Sequence, residues 1–114
     1  MSADCLFCRI IAGEIPATRV HEDDQVLVIR DIGPKAPTHV LLLSKAHIAS
    51  AADLTDEDGP MLGRLFGVAA EVARAEGLDG GWRLVSNVGP DAGQSVPHLH
   101  VHLLGGRAMG WPPG

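Results

Sequence analysis

Pro97-His98-Leu99-His100-Val101-His102-Leu103-Leu104 alternates imidazole and aliphatic side chains without a break from His98 to Leu103. A period of two is that of a β-strand, so the stretch from His98 to Leu104 is read as a strand, with Leu99, Val101 and Leu103 in the core and all three rings on the opposite face. At about 3.3 Å per residue, His98 and His102 would stand about 13 Å apart and neighbouring rings about 6.6 Å. The rings then form a line of separate roles, or one metal-binding pair with a ring left over. Imidazole titrates near neutrality, so such a line can combine a nucleophile or base, a proton donor and an orienting group. A neutral ring nitrogen can displace a leaving group from phosphorus when a fixed acceptor holds the other nitrogen.

Just upstream, Gly89-Pro90-Asp91-Ala92-Gly93-Gln94-Ser95 reads as a loop that can offer backbone N–H groups, an amide and a hydroxyl to phosphate oxygens. Further out, Trp82 to Ser86 and His39 to Leu43 read as strands, and Arg19 to Glu22 with Val26 to Arg30 as a hairpin turned by Asp23 and Asp24. Asp31 to Pro37 must be a loop, since two prolines lack ladder donors. Apolar residues at Phe7, Ile10 and Ile11 mark a short helical turn ending before Pro16. The longest element is a helix introduced by Thr55 and Asp58, carrying Met61, Leu65, Val68 and Val72 on one face and stopping at Gly77. These elements imply an α+β domain spanning 1–114: a five-stranded antiparallel sheet, one long and one short helix on one face, and an irregular tail over 105–114.

Nine Lys and Arg against fourteen Asp and Glu give a net charge of −5, which disfavours a nucleic-acid partner but not a small phosphate ester. No stretch is long and apolar enough to cross a bilayer, and Met1-Ser2-Ala3-Asp4-Cys5 is neither basic nor apolar, so the chain is read as cytoplasmic with no membrane partner. Cys5 and Cys8, three apart, could close only a tiny disulfide loop; as C-x-x-C they read as half of a zinc site needing two more ligands. The plainer reading is a pair of reduced thiols.

The segment His98 to Leu104 matches the His-φ-His-φ-His-φ-φ signature of the histidine triad superfamily, and the chain resembles its nucleotide-binding (Hint) branch over almost its whole length. Phe7 to Pro16, Glu22 to Asp24, Asp31 to His39, Lys45 to Ile48, Gly93-Gln94-Ser95 and the ending Gly105-Gly106-Arg107 to Met109 with Trp111-Pro112-Pro113-Gly114 carry the resemblance. It implies a homodimeric HIT-like fold and hydrolysis of purine nucleoside phosphoramidates through a nucleotidylated histidine. His100 would be the nucleophile, His102 and Ser95 would contact the phosphate or leaving group, and His39 would complete a proton network near His98. Asp31 would hold the ribose hydroxyls and Asn87 would lie near ribose and phosphate. Phe7, Ile10, Ile29, Ile32 and Leu41 would form the base slot. Ile29 stands where relatives often carry an aromatic, which weakens the expected stacking on the base. Trp111 would approach the partner subunit's site.

The resemblance also implies that His47 and His98 complete a structural zinc site with Cys5 and Cys8, leaving no position for an activated water. A metal-bound His98 could not shuttle protons freely and would serve instead to fix the strand and His100. Three other readings compete: dinucleoside polyphosphate cleavage or nucleotidyl transfer through the same intermediate, a nucleotide-binding regulatory or scaffold module, and a metallohydrolase using His100 and His102 as a metal pair with Asp91. The long helix has more apolar face than one side of a small sheet covers, which a homodimer would absorb.

Overall fold

The computed structural model describes residues 4–114, so the expectation resting on Met1 to Ala3 lies outside the described residues. In chain order the elements are α1 (Leu6–Ile11), β1 (Arg19–Glu22), β2 (Val26–Arg30), β3 (Thr38–Ser44), α2 (Gly59–Ala75), β4 (Trp82–Val85) and β5 (His100–Gly105). The five strands form one antiparallel sheet in the order β1-β2-β3-β5-β4. The histidine strand is thus an inner strand, and β1 and β4 are the edges.

Local chemistry accounts for the junctions. Asp23 Oδ1 accepts the N–H groups of Gln25 (2.8 Å) and Val26 (3.0 Å), turning the β1–β2 hairpin. A capping box joins Thr55 and Asp58, with the Thr55 N–H donating to Asp58 Oδ2 at 2.9 Å, and one 3₁₀ turn leads from it into α2. At the far end Gly77, at φ +70°, lets its own N–H reach Arg74 O (3.1 Å) and that of Leu78 reach Ala73 O (3.0 Å), which closes the helix.

The three inner strands decide the layering. Val26, Val28, Val40, Leu42, Val101 and Leu103 pack with Leu65, Val68 and Val72 of α2. The alternate residues Leu27, Ile29, Leu41 and Leu43 pack with Cys5, Phe7, Cys8 and Ile10 around α1. The helices therefore cover opposite faces, not one face as the sequence pattern suggested. Every residue of β3 is buried, so both of its faces needed a cover. The histidine rings lie on the α1 side rather than on a free polar face, with His98 and His100 buried and His102 partly exposed.

The triad strand is also shorter than its alternation predicts. The Leu99 N–H donates to Ile48 O (2.6 Å), beyond the end of β3, and the ladder with β3 begins only at His100, paired with Leu43. His98 precedes the strand at an elbow and is completely buried.

Candidate active site and metal centre

The three triad rings have fixed and different orientations. His98 Nε2 lies 2.7 Å from Ser44 O and His100 Nδ1 lies 2.6 Å from His98 O. A carbonyl can only accept, so both nitrogens carry the hydrogen. In the neutral rings this leaves lone pairs on His98 Nδ1 and His100 Nε2. Phe7 stands edge-on to His100, with ring centroids 4.9 Å apart, and completes its packing.

His102 receives the opposite assignment. The Lys35 N–H donates to His39 Nδ1 at 3.0 Å, so neutral His39 carries its hydrogen on Nε2 and donates it to His102 Nδ1 at 2.9 Å. His102 must then hold its own hydrogen on Nε2. Burial, and then the charges that neighbouring His100 and His39 would carry, push the His102 pKa below the usual histidine range and favour this neutral form. The pair of rings, with centroids 5.3 Å apart, thus combines an acceptor on His100 with a donor on His102. His39 joins His102, not His98 as the sequence reading had it, because His39 is paired with Leu104 across β3–β5, away from the elbow.

A cleft of about 270 Å³ opens over these rings, with Phe7, Ile10, Ile29, Ile32, Leu41, Asp31, Ser95, His100 and His102 all on its lining. The structure therefore brings together most of the residues singled out in the sequence. Asp31 Oδ1 accepts the Gly33 N–H (2.7 Å), while Oδ2 lies 3.5 Å from His39 Nε2. Ser95 is exposed at the rim. A larger hollow of about 400 Å³ by Gly77, Leu78, Gly106 and Arg107 holds none of these groups.

Other expected contributors stand apart from the cleft lining. The Gln94 amide braces its own loop, accepting the Gly89 N–H (2.9 Å) and donating to Ala49 O (2.8 Å) and Val96 O (3.1 Å). The N–H groups of Gly93 and Gln94 donate to Pro90 O (3.0 Å) and Gly89 O (3.1 Å), so the expected anion-binding donors here serve the loop. Asn87 likewise donates to Ala92 O at 2.8 Å. Trp111, 84% exposed in the tail, does not reach this chain's cleft. Sequence reasoning missed Leu6, Ile15, Pro16 and Ala17 on the cleft wall. It also missed the main-chain groups of Lys35, Ser44 and His98 that orient the rings; backbone partners leave no mark on residue type.

At the elbow, His98 Nδ1 faces Cys5 Sγ (3.3 Å), Cys8 Sγ (3.6 Å) and His47 Nδ1 (3.2 Å), and Cys8 Sγ lies 3.2 Å from His47 Nδ1. Zinc bonds of about 2.3 Å to sulfur and about 2.0 Å to nitrogen imply tetrahedral edges of about 3.3 Å between two nitrogens and about 3.5 Å between nitrogen and sulfur. The donors lie close to that spacing, neither cysteine is in a disulfide, and the Ser44 carbonyl turns the His98 lone pair inward as a metal ligand requires. Cys5, Cys8, His47 and His98 could therefore hold a metal ion. Asp31, His39 and His102 also cluster, but there the Lys35 N–H forces a hydrogen, not a lone pair, into the centre. His100 belongs to neither cluster among the described residues, which removes the support for a His100–His102–Asp91 metal pair.

Comparison with known proteins agrees with this geometry. A model of the HIT domain matches residues 12–109. A 14 kDa zinc-binding protein of Brassica juncea is 50% identical over 113 residues, covering 97% of this chain and 100% of the relative. The crystal structure of a HIT family hydrolase from Legionella pneumophila superposes with a TM-score of 0.95 at 54% identity, covering 97% of this chain and 100% of the other. A histidine triad nucleotide-binding protein from Candida albicans matches with a TM-score of 0.82 at 31% identity, covering 97% and 85%.

Proposed function

This chain belongs to the HIT domain family, and from that premise we propose that it is a nucleotide hydrolase that cleaves purine nucleoside phosphoramidates at the α-phosphate. The observation that carries the reading is the pairing of an imidazole acceptor, His100 Nε2, with an imidazole donor, His102 Nε2–H, over one apolar cleft. His100 Nε2 attacks phosphorus as the P–N bond breaks, and the leaving amine takes a proton from solvent at the cleft mouth, which the attacking water gives back in the second step. Water then displaces the nucleotidyl group from Nε2, releasing the nucleoside monophosphate and restoring the ring. His98 O holds the Nδ1 hydrogen throughout and stabilises the ring as it gains positive charge. His102, with Ser95 at the rim, donates to the phosphoryl oxygens as their charge grows. Asp31 takes the ribose hydroxyls, and Phe7, Ile10, Ile29, Ile32 and Leu41 enclose the base. With Gly93, Gln94 and Asn87 engaged internally, their part is to shape the loop that presents Ser95.

Cys5, Cys8, His47 and His98 would hold a zinc ion with all four positions filled by protein, supplying rigidity to the elbow rather than an activated water. Metal analysis of purified protein is expected to give about one zinc per chain. We also read the protein as a homodimer, with Trp111 reaching the partner subunit's cleft.

Mass spectrometry after rapid quenching with adenosine phosphoramidate should find a nucleotidyl adduct on His100. His100→Gly should lose the adduct and at least about 10³-fold in turnover while still binding the nucleotide. An adduct elsewhere, or turnover that survives this change, overturns the assignment. Faster cleavage of a dinucleoside polyphosphate than of the phosphoramidate would move the substrate class without moving the nucleophile.

A further inference from the structure

The donor character of His102 depends on a loop with little else to hold it. Residues 32–35 between β2 and β3 are exposed, yet the Lys35 N–H is the group that sets the His39 tautomer. The Lys35 carbonyl, in turn, accepts two hydrogen bonds from one guanidinium, Arg107 Nε at 3.2 Å and Nη2 at 2.9 Å. The remaining nitrogen, Nη1, donates to Ala108 O at 3.1 Å, and among the described residues no carboxylate pairs with Arg107. Each of its three nitrogens thus donates to a main-chain oxygen. Gly106, at φ +91°, lays the chain against Pro37 closely enough that an added Cβ would come within 2.9 Å of the proline Cβ, so the turn after β5 grips the loop at two points.

We propose that Arg107 is a positioning residue for the reaction, acting on His102 through Lys35 and His39. The proposal rests on the roles given above to His100 and His102. Without the clamp, the Lys35 N–H is free to turn to water and His39 is free to carry its hydrogen on Nδ1. Its Nε2 would then present a lone pair to His102 Nδ1, and two facing lone pairs 2.9 Å apart repel. His102 relieves this by moving its hydrogen to Nδ1, which leaves no donor on Nε2 for a phosphoryl oxygen. Loss of that main-chain contact leaves only Asp31 Oδ2, 3.5 Å from His39 Nε2, to favour the original form, so both rings populate the reversed tautomer without any change in the cleft lining. A planar fork that meets one carbonyl with two N–H groups suits this role better than a single mobile ammonium.

The test is long-range proton–nitrogen NMR of the imidazoles in ¹⁵N-labelled full-length protein, compared with Arg107→Ala and Arg107→Lys. The wild type should show the Nε2–H form at both His39 and His102. Arg107→Ala should show mixed tautomers at both rings and a kcat for adenosine phosphoramidate lower by about tenfold, with KM little changed. Arg107→Lys, which keeps one donor and is the measurement to use if the alanine variant does not fold, should fall between. Unchanged tautomers in both variants overturn the proposal even if turnover drops. Shifted tautomers in a protein without phosphoramidate turnover uphold the positioning role and overturn the activity reading instead.

Discussion

His98 is the residue on which two networks meet. Its ring Nδ1 faces the cysteines, its Nε2–H is held by Ser44 O, and its carbonyl orients the His100 ring. All three contacts are shielded from water, where an unmade hydrogen bond costs about 1–3 kcal/mol. The same residue therefore links the state of the metal centre, through its ring, to the aim of His100, through its carbonyl. Gly106 is the corresponding backbone position. A side chain there meets both a positive φ and the Pro37 ring, so Gly106→Ala should lower stability by about 1–3 kcal/mol in equilibrium denaturation. A neutral result would mean that the turn after β5 does not press on the loop.

At the scale of elements, α1 has six residues, too few to hold a helix alone, yet it supplies Phe7 and Ile10 to the cleft. Its anchor is the cysteine pair, with Cys5 as N-cap accepting the Cys8 N–H at 3.3 Å. Chelation should accordingly speed amide exchange across Leu6–Ile11 while α2 stays protected. Hydrogen exchange with metal content measured in parallel checks this, and protection that persists in metal-free protein would refute the anchor. The C-terminal end of α2 is tied to β2 by Glu76, whose carboxylate the Arg30 guanidinium holds below the ordinary glutamate range. A lowered acid pKa adds stability above the unfolded value, lost as the pH falls through the folded one. Glu76→Gln should therefore cost stability at neutral pH and flatten its decline below about pH 4.3. An acid limb of unchanged slope in pH-dependent denaturation would show that the pair contributes nothing.

The whole molecule is a sheet covered on both faces, and large apolar side chains remain exposed on both helices, on an edge strand, in loops and in the tail. Phe66 on α2 is 54% exposed and Trp82 on the edge strand β4 is 39% exposed. On the proposed homodimer, sedimentation at micromolar concentration should give twice the chain mass, and Phe66→Glu should shift the protein toward the monomer. A wild-type monomer would leave Trp111 without a neighbouring cleft to enter. Among the described residues no helix is long and apolar enough to cross a membrane.

What the sequence determined by itself is whatever short-range periodicity and residue chemistry encode. The hairpin at Asp23, the Thr55–Asp58 cap, the Gly77 stop, the buried run of β3 and the strand-like alternation around His100 could all be read because each rests on neighbours a few residues apart. The four cluster ligands and the cleft residues were legible through resemblance, since side-chain type is what a family motif records. Tertiary structure decided the rest. It put the helices on opposite faces, because Val28 and Ile29 both needed cover. It drew His98 out of the strand, because the Leu99 N–H found Ile48 beyond the end of β3. It joined His39 to His102 and committed the Gln94 amide to its loop. Each of these outcomes turns on a main-chain group or a distant partner, and such groups are alike in every residue until folding brings them together.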